Sequence, residues 1–375
     1  MMRVLVVAAD PASTLTQLRV GRPLSAGLAE QAGELRLRPL HDVPLAALRA
    51  CDVLVMQRGM SRRHLHLMKT AAAMGRAVIY EIDDLLTEPA PHLQHADALR
   101  RGAPWVRACL DAADVVTVST ERLASMLELQ PERRVVVANA AFDGPAGPTP
   151  EHRASGAVSL LVAASDRVAG GAAWPALQAL TRAAGGAVSV QAVGPVADDL
   201  ERAGVACRRL PPMPREAFVR WAATQPNPIA LIPLDDSRFS AGKSAIKWFD
   251  YAVAGVPTLA SDLPPYNDVI EHARTGWLVR PGVVDWQHAL TMVIGDAALR
   301  TRLAAAARQQ VLGHHHAGLT RRAWGEALHI ATARAAARGG ARGQLPLLQL
   351  QLRHAMQELG LSLRRWNRER LARRG

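Results

Sequence analysis

Lysine is nearly absent from this chain. Of 45 basic residues among 375, only Lys69, Lys243 and Lys247 are lysine, so two of the three fall within one five-residue stretch. Aromatic residues make up 4%, with three tyrosines, Tyr80, Tyr251 and Tyr266. The three cysteines, Cys51, Cys109 and Cys207, lie far apart with no CxxC and no Cys/His pairing. That excludes a disulfide framework and a structural zinc centre, and it fits a reducing cytoplasm. No apolar run approaches the roughly 18 residues of a membrane span. The apolar start, Val4 to Ala9, is too short for a signal peptide and reads as a buried strand. Neither GxGxxG nor GxxxxGK[ST] occurs, which removes support for a nicotinamide oxidoreductase and a P-loop ATPase.

What is present is globular. Hydrophobic residues are 49% and charged residues 21%, and at about 150 residues per domain the length predicts two domains. The net charge is +12, but residues 334–375 hold ten Arg against two Glu, a surplus of +8 that leaves +4 for the first 333 residues. Basic character is therefore mainly a tail property, unlike the body groove of a nucleic-acid enzyme, and no nucleic-acid partner is expected. In that tail Leu345, Leu348, Leu352, Met356, Leu359, Leu363 and Trp366 recur at three- and four-residue spacing, one face of a helix. With its arginines this predicts a basic amphipathic helix over 339–375, suited to an anionic membrane surface or a partner protein.

Continuous apolar runs alternate with helical stretches. Strands are predicted at Arg3–Ala9, Cys51–Arg58, Ala77–Ile82, Asp114–Ser119 and Arg134–Ala138. A Gly/Pro-rich break, Asp143 to Pro150, marks a boundary, after which strands at Ser159–Ala164, Val188–Val193, Cys207–Leu210, Ile229–Pro233 and Pro257–Ala260 resume the alternation. This is the pattern of an α/β protein with two successive doubly wound parallel sheets, whose ligands bind beyond the strand carboxyl ends.

The segment Phe239 to Ser261 is the richest in chemistry. Gly242 is predicted to sit where a loop enters a helix, Lys243 to Ala254, whose free N–H groups and dipole favour an anion such as a diphosphate. Lys243 and Lys247 would then share a helix face, with Asp250 one turn on, placed to accept hydrogen bonds from a ribose. The alternative is a surface ion pair between Lys247 and Asp250. Asp83 and Asp84 end a strand of the first half and could orient an acceptor hydroxyl or stabilise a developing positive charge; the alternative is a cap and a solvated carboxylate. Arg58 ends the adjacent strand, where a phosphate, an acceptor or plain solvent would meet it. Ser13 and Thr14, in the first strand–helix loop, are acceptor-side candidates. His314–His316 reads as linker in preference to a metal tract.

Lys243-Ser-Ala-Ile-Lys-Trp-Phe-Asp-Tyr-Ala, Gly255-Val-Pro-Thr-Leu-Ala-Ser-Asp-Leu-Pro-Pro-Tyr266 and Arg274-Thr-Gly-Trp-Leu-Val279 together resemble the donor-binding half of retaining GT-B glycosyltransferases near family 4. Tyr80-Glu-Ile-Asp-Asp-Leu85 resembles a signature in one branch of that family, and Val115 to Ala124 with Val135 to Asn139 resembles the end of its first domain. The likeness spans roughly residues 1–330. It implies an acceptor-side Rossmann-like domain over 1–145, a donor domain over 156–312, and a helix over 313–338 crossing back, the two domains facing across a cleft.

The resemblance further implies a nucleoside diphosphate sugar as co-substrate, no resident cofactor and no metal. A sugar would pass to a hydroxyl of a glycan or lipid-linked acceptor with retention, in polysaccharide biosynthesis at the inner face of the cell membrane. Asp250 matches the family's ribose-binding acid. The second acid, eight positions earlier, is here Gly242. Arg167 matches an arginine that meets the diphosphate, but the lysine that usually follows it is missing. The implied donor set is Arg167, Ser240, Gly242, Lys243, Ser244, Lys247 and Asp250; the implied catalytic set is Asp83, Asp84 and Lys247. A non-catalytic GT-B module that binds nucleotide or glycan as a scaffold is the alternative, and a nucleotide-sugar epimerase is a weaker third.

Overall fold

The computed structural model describes residues 1–339, and the tail helix expected over 339–375 lies outside the described residues apart from its first position. The chain divides into two compact units. Within the described residues, unit one comprises 1–87, 99–137 and 320–339; unit two comprises 88–98 and 138–319.

In unit one a parallel sheet has the order β2-β1-β3-β4-β5-β6, from β1 (Arg3–Ala8), β2 (Glu34–Pro39), β3 (Val53–Gln57), β4 (Ala77–Ile82), β5 (Val115–Val118) and β6 (Arg134–Val136). Residues of β3, β4 and β5 are buried throughout, because helices cover both faces of the sheet. Thr120 caps the helix Glu121–Met126 by accepting from Leu123 N at 3.1 Å. β2 and the short helix Leu45–Ala50 are additions to the sequence reading. β2 is an edge strand in which Leu35 and Leu37 alternate with Glu34, Arg36 and Arg38, so it lacks the continuous apolar run that marks its buried neighbours. The helix Ala317–Gly339 returns to this unit, where Trp324, Ala327, Leu328, Ala331 and Ala335 join the core formed with Val4, Val6, Val53 and Val55.

In unit two the order is β12-β11-β10-β7-β8-β9, from β7 (Val158–Ala163), β8 (Val188–Val193), β9 (Arg208–Leu210), β10 (Pro228–Ile232), β11 (Thr258–Ser261) and β12 (Trp277–Val279), again all parallel. Alternate residues feed two cores. Leu160, Val162, Ile229 and Leu231 face one; Leu161, Ala230, Ile232 and Ala260 face the other. Ala141, Phe142 and Ala146 are buried in the second of these cores, so the chain is already part of unit two before the Gly/Pro-rich break. In both sheets the strand order reverses at a switch point, between β1 and β3 in unit one and between β7 and β10 in unit two. Crevices form at such points because consecutive crossovers leave in opposite directions.

Candidate functional site

At the switch point of unit two a pocket opens beyond the carboxyl ends of β7 and β10. Its walls are the loop after β7, including Asp166 and Arg167, the loop after β10, including Asp235, and Ser240, Lys243 and Lys247. Arg167 also borders a neighbouring groove of about 660 Å³ between Gly194–Pro195 and Leu210–Pro212. Three basic side chains thus gather on one crevice.

Local bonding explains how the loops are held. Asp199, buried in the helix Val196–Arg202, accepts from Val168 N at 2.7 Å, from Arg167 Nε at 3.2 Å and from Arg202 Nη2 at 2.5 Å. It fixes both the backbone after β7 and the base of the Arg167 side chain. Ser261 at the end of β11 accepts from Leu234 N at 2.8 Å and donates to Leu234 O at 3.3 Å, pinning the loop after β10. Asp235 accepts from Ser237 N at 2.9 Å, and Ser237 caps the short helix Arg238–Ala241 by accepting from Ser240 N at 3.2 Å.

Gly242 does not open a helix. It is the C-cap of Arg238–Ala241, and the next helix runs Ile246–Val253. The physical reason is the Ser237 cap, which starts a helical turn early and ends it at Gly242, leaving 243–245 as the connection. Lys243 therefore precedes the helix and does not share a helix face with Lys247; the two meet because the connection folds onto the pocket. Lys243 Nζ lies 4.4 Å from the Phe239 ring centroid, a cation–π contact that orients it.

Three members of the expected donor set, Gly242, Ser244 and Asp250, are not among the residues that line this pocket. Ser244 Oγ accepts from Asn139 Nδ2 at 2.6 Å. Asp250 is buried, and its Oδ1 is held by Arg215 through Nε at 2.7 Å and Nη2 at 2.6 Å, while Arg215 also donates to Ala140 O. Burial pushes the Asp250 carboxyl above its ordinary range, against the charges of Arg215 and Lys247. Asp199, Arg215 and Asn139 were not singled out from the sequence, because their partners lie 31–35 and 105 residues away and no local pattern announces them.

In unit one, Arg58 follows β3 at φ +49°, a left-handed conformation that costs a non-glycine residue roughly 1–3 kcal/mol. That conformation sends its guanidinium to the end of β4, with Nε 3.4 Å from Asp83 Oδ1 and Nη2 2.8 Å from Asp84 Oδ2. Burial alone would lower the Arg58 pKa; the charges of Asp83, Asp84 and Glu81 outweigh it and hold the group above its ordinary value. Arg58 is thus the counter-ion of the two carboxylates. Ser13 caps the turn Thr14–Thr16, accepting from Thr16 N at 3.2 Å and donating to Asp10 O, and Thr14 is exposed. Beneath them Arg19 and Glu81, both fully buried, pair at 2.8 Å, and Arg19 Nη1 donates to Val137 O at 2.5 Å. A π-helical turn, Gln17–Gly21, turns Arg19 inward. His314 is exposed, while His315 stacks on Phe249 at 4.1 Å in the core of unit two. No described helix is long and apolar enough to cross a membrane.

No protein-family model and no curated protein matches this sequence. The fold does match solved structures. It is similar to Anabaena HepE in complex with UDP and glucose, over 88% of this chain and 100% of that one, at 14% identity and a TM-score of 0.62. It is similar to sucrose-phosphate synthase from Thermosynechococcus elongatus, over 89% and 100%, at 12% identity and a TM-score of 0.63. It is similar to a glycosyltransferase from Rickettsia africae, over 89% and 98%, at 12% identity and a TM-score of 0.57. At such identities the likeness is one of fold, the two-sheet GT-B class expected from the sequence motifs.

Proposed function

We propose that this chain is a glycosyltransferase that takes a sugar from a nucleoside diphosphate donor and passes it, with retention, to a hydroxyl of a glycan or lipid-linked acceptor. The observation that carries this reading is the gathering of Arg167, Lys243 and Lys247 on the switch-point pocket of unit two. A diphosphate there meets three cations, and the adjoining groove at Gly194–Pro195 and Leu210–Pro212 has room for a nucleoside. Structures of similar fold have been solved with UDP, and in one case with UDP-glucose. The chemistry needs little from side chains beyond charge and position: as the glycosidic bond to the diphosphate breaks, negative charge grows on the departing oxygens, and fixed cations stabilise it. Asp83 and Asp84, oriented by Arg58, serve the acceptor side. Docking of the protein on an anionic membrane belongs to residues 340–375 and rests on their sequence pattern alone; vesicle pelleting with and without that segment tests it.

Two observations favour the non-catalytic alternative. Asp250 is engaged by Arg215, and no acid stands at position 242. Incubation with UDP- and GDP-sugars separates the readings. Slow release of nucleotide from one donor, accelerated by acceptor glycans, is the expected result; tight binding with no turnover overturns catalysis in favour of a binding module.

A further inference from the structure

Residues 88–98 follow directly on the Asp83–Asp84 strand end, yet they belong to unit two. Nothing in the sequence of this segment, Glu-Pro-Ala-Pro-His-Leu-Gln-His-Ala-Asp-Ala, advertises a ligand site. Ala90, Leu93 and Ala96 are buried and anchor it. Its polar groups reach both loops that frame the switch-point pocket. On the side of β10, Glu88 Oε2 meets Arg238 Nε at 2.8 Å, and His92 Nε2 lies at ion-pair distance, 3.4 Å, from Asp235 Oδ2. On the side of β7, Gln94 N donates to Asp166 Oδ1 at 3.0 Å, the same oxygen that accepts from Arg167 N at 2.7 Å. The segment is a strap tied at three points, and His92 and Leu93 form part of the pocket wall.

The charge balance gives the strap a purpose. Asp235 lines the pocket together with Arg167, Lys243 and Lys247, and the charge of its carboxylate opposes a diphosphate there. A protonated His92 cancels that charge; a neutral His92 does not. We propose that His92, seated against Asp235, is a proton-dependent fourth cation of the diphosphate pocket, and that residues 88–98 are built onto unit two to deliver it. This rests on the donor-binding reading above. The other charged groups on the pocket are Asp166 and Arg167 from the loop after β7, and Lys243 and Lys247 after β10; Glu88, on the strap itself, is engaged by Arg238. Histidine is the side-chain type in this set that ordinarily changes charge around neutrality, so the proposal assigns the switch to His92.

The test uses the full chain and intact UDP-glucose and GDP-glucose, whose disubstituted diphosphates keep a constant charge between about pH 6 and about pH 8, the span in which histidine changes charge. Affinity is measured by calorimetry at both ends. The wild type is expected to bind its preferred donor at least about threefold more tightly at the lower pH, the contribution of one unit charge several ångström from a phosphate even at high dielectric. In His92→Gln the affinity becomes independent of pH at the weaker, high-pH level. In Asp235→Asn, which keeps the imidazole and removes its carboxylate partner, the pH dependence moves to lower pH. A His92→Gln protein with the wild-type pH profile overturns the role of His92 and leaves the donor site standing. A wild type that binds neither nucleotide sugar at either pH overturns the donor reading and this inference together.

Discussion

The two units place the charged residues near their strand ends to different effect. In unit one the charges consume one another. Arg58 bridges Asp83 and Asp84, and Arg19 pairs with Glu81 in complete burial, with Thr16 donating to Gln57 alongside at 2.7 Å. In unit two, Arg167, Lys243 and Lys247 turn toward a crevice. The difference teaches what each set is for. A buried pair trades desolvation against Coulomb attraction and returns mainly a defined geometry. The cations that line the crevice of unit two keep contacts of their own, Arg167 with Asp199 and Lys243 with the Phe239 ring, and are also placed to meet an anion. Polar groups at unit one should therefore register in stability, and those at unit two in affinity.

The most severe way to probe this contrast is Arg19→Leu. It strands the Glu81 carboxylate in the core, where burial already pushes its pKa up against the pull of Arg19. The expected loss is about 3–5 kcal/mol of unfolding free energy in a denaturant titration, the usual result of breaking one side of a buried pair. A loss under about 1 kcal/mol would mean the pair is not what orders unit one.

A second, intermediate effect also belongs to unit one. His64 sits in the first turn of the helix Arg62–Ala73 with its Nδ1 2.6 Å from Ser61 Oγ, and burial lowers its pKa from 6.5 to about 4. Its neutral form is the one the fold accepts. Its contribution is complete above about pH 6.5 and fades as the pH falls toward about 4, because the unfolded chain gains the proton first. Between about pH 7 and pH 5 this amounts to roughly 2 kcal/mol, at 1.36 kcal/mol per unit of displacement. Denaturation midpoints at the two pH values check it, and His64→Gln should flatten that part of the decline.

The smallest effect sharpens the other side of the contrast. Lys247→Ala should weaken binding of the preferred nucleotide sugar at least about tenfold, ~1.4 kcal/mol. Its unfolding free energy should fall by no more than about 1 kcal/mol, since Lys247 is half-buried and its charge acts on buried Asp250. Unchanged affinity in calorimetry would remove Lys247 from the pocket's function and with it the division of labour drawn here.

Much of this was readable along the chain. Uninterrupted apolar runs identify strands covered on both faces, and their alternation with helices predicts two parallel sheets. Scarcity of lysine directs attention to Lys243 and Lys247, which the fold does bring to one pocket. The errors share a cause. Helix propensity places residues 243–245 in a helix, but the Ser237 cap spends the turn early and breaks it at Gly242. Asp250 reads as an available carboxylate until Arg215, 35 residues earlier, takes its oxygen. Glu34–Pro39 hides as a strand because an edge needs only one apolar face.

What the linear order of residues determined by itself is whatever depends on neighbours within about one helical turn or one strand: hydrophobic period, caps, breaks and the inventory of charges. Tertiary structure alone decided which charges are spent on each other and which face a crevice. Ion pairing falls off within a few ångström, and separations of that size between Arg58 and Asp84, Arg215 and Asp250, or His92 and Asp235 exist only once the sheets have formed.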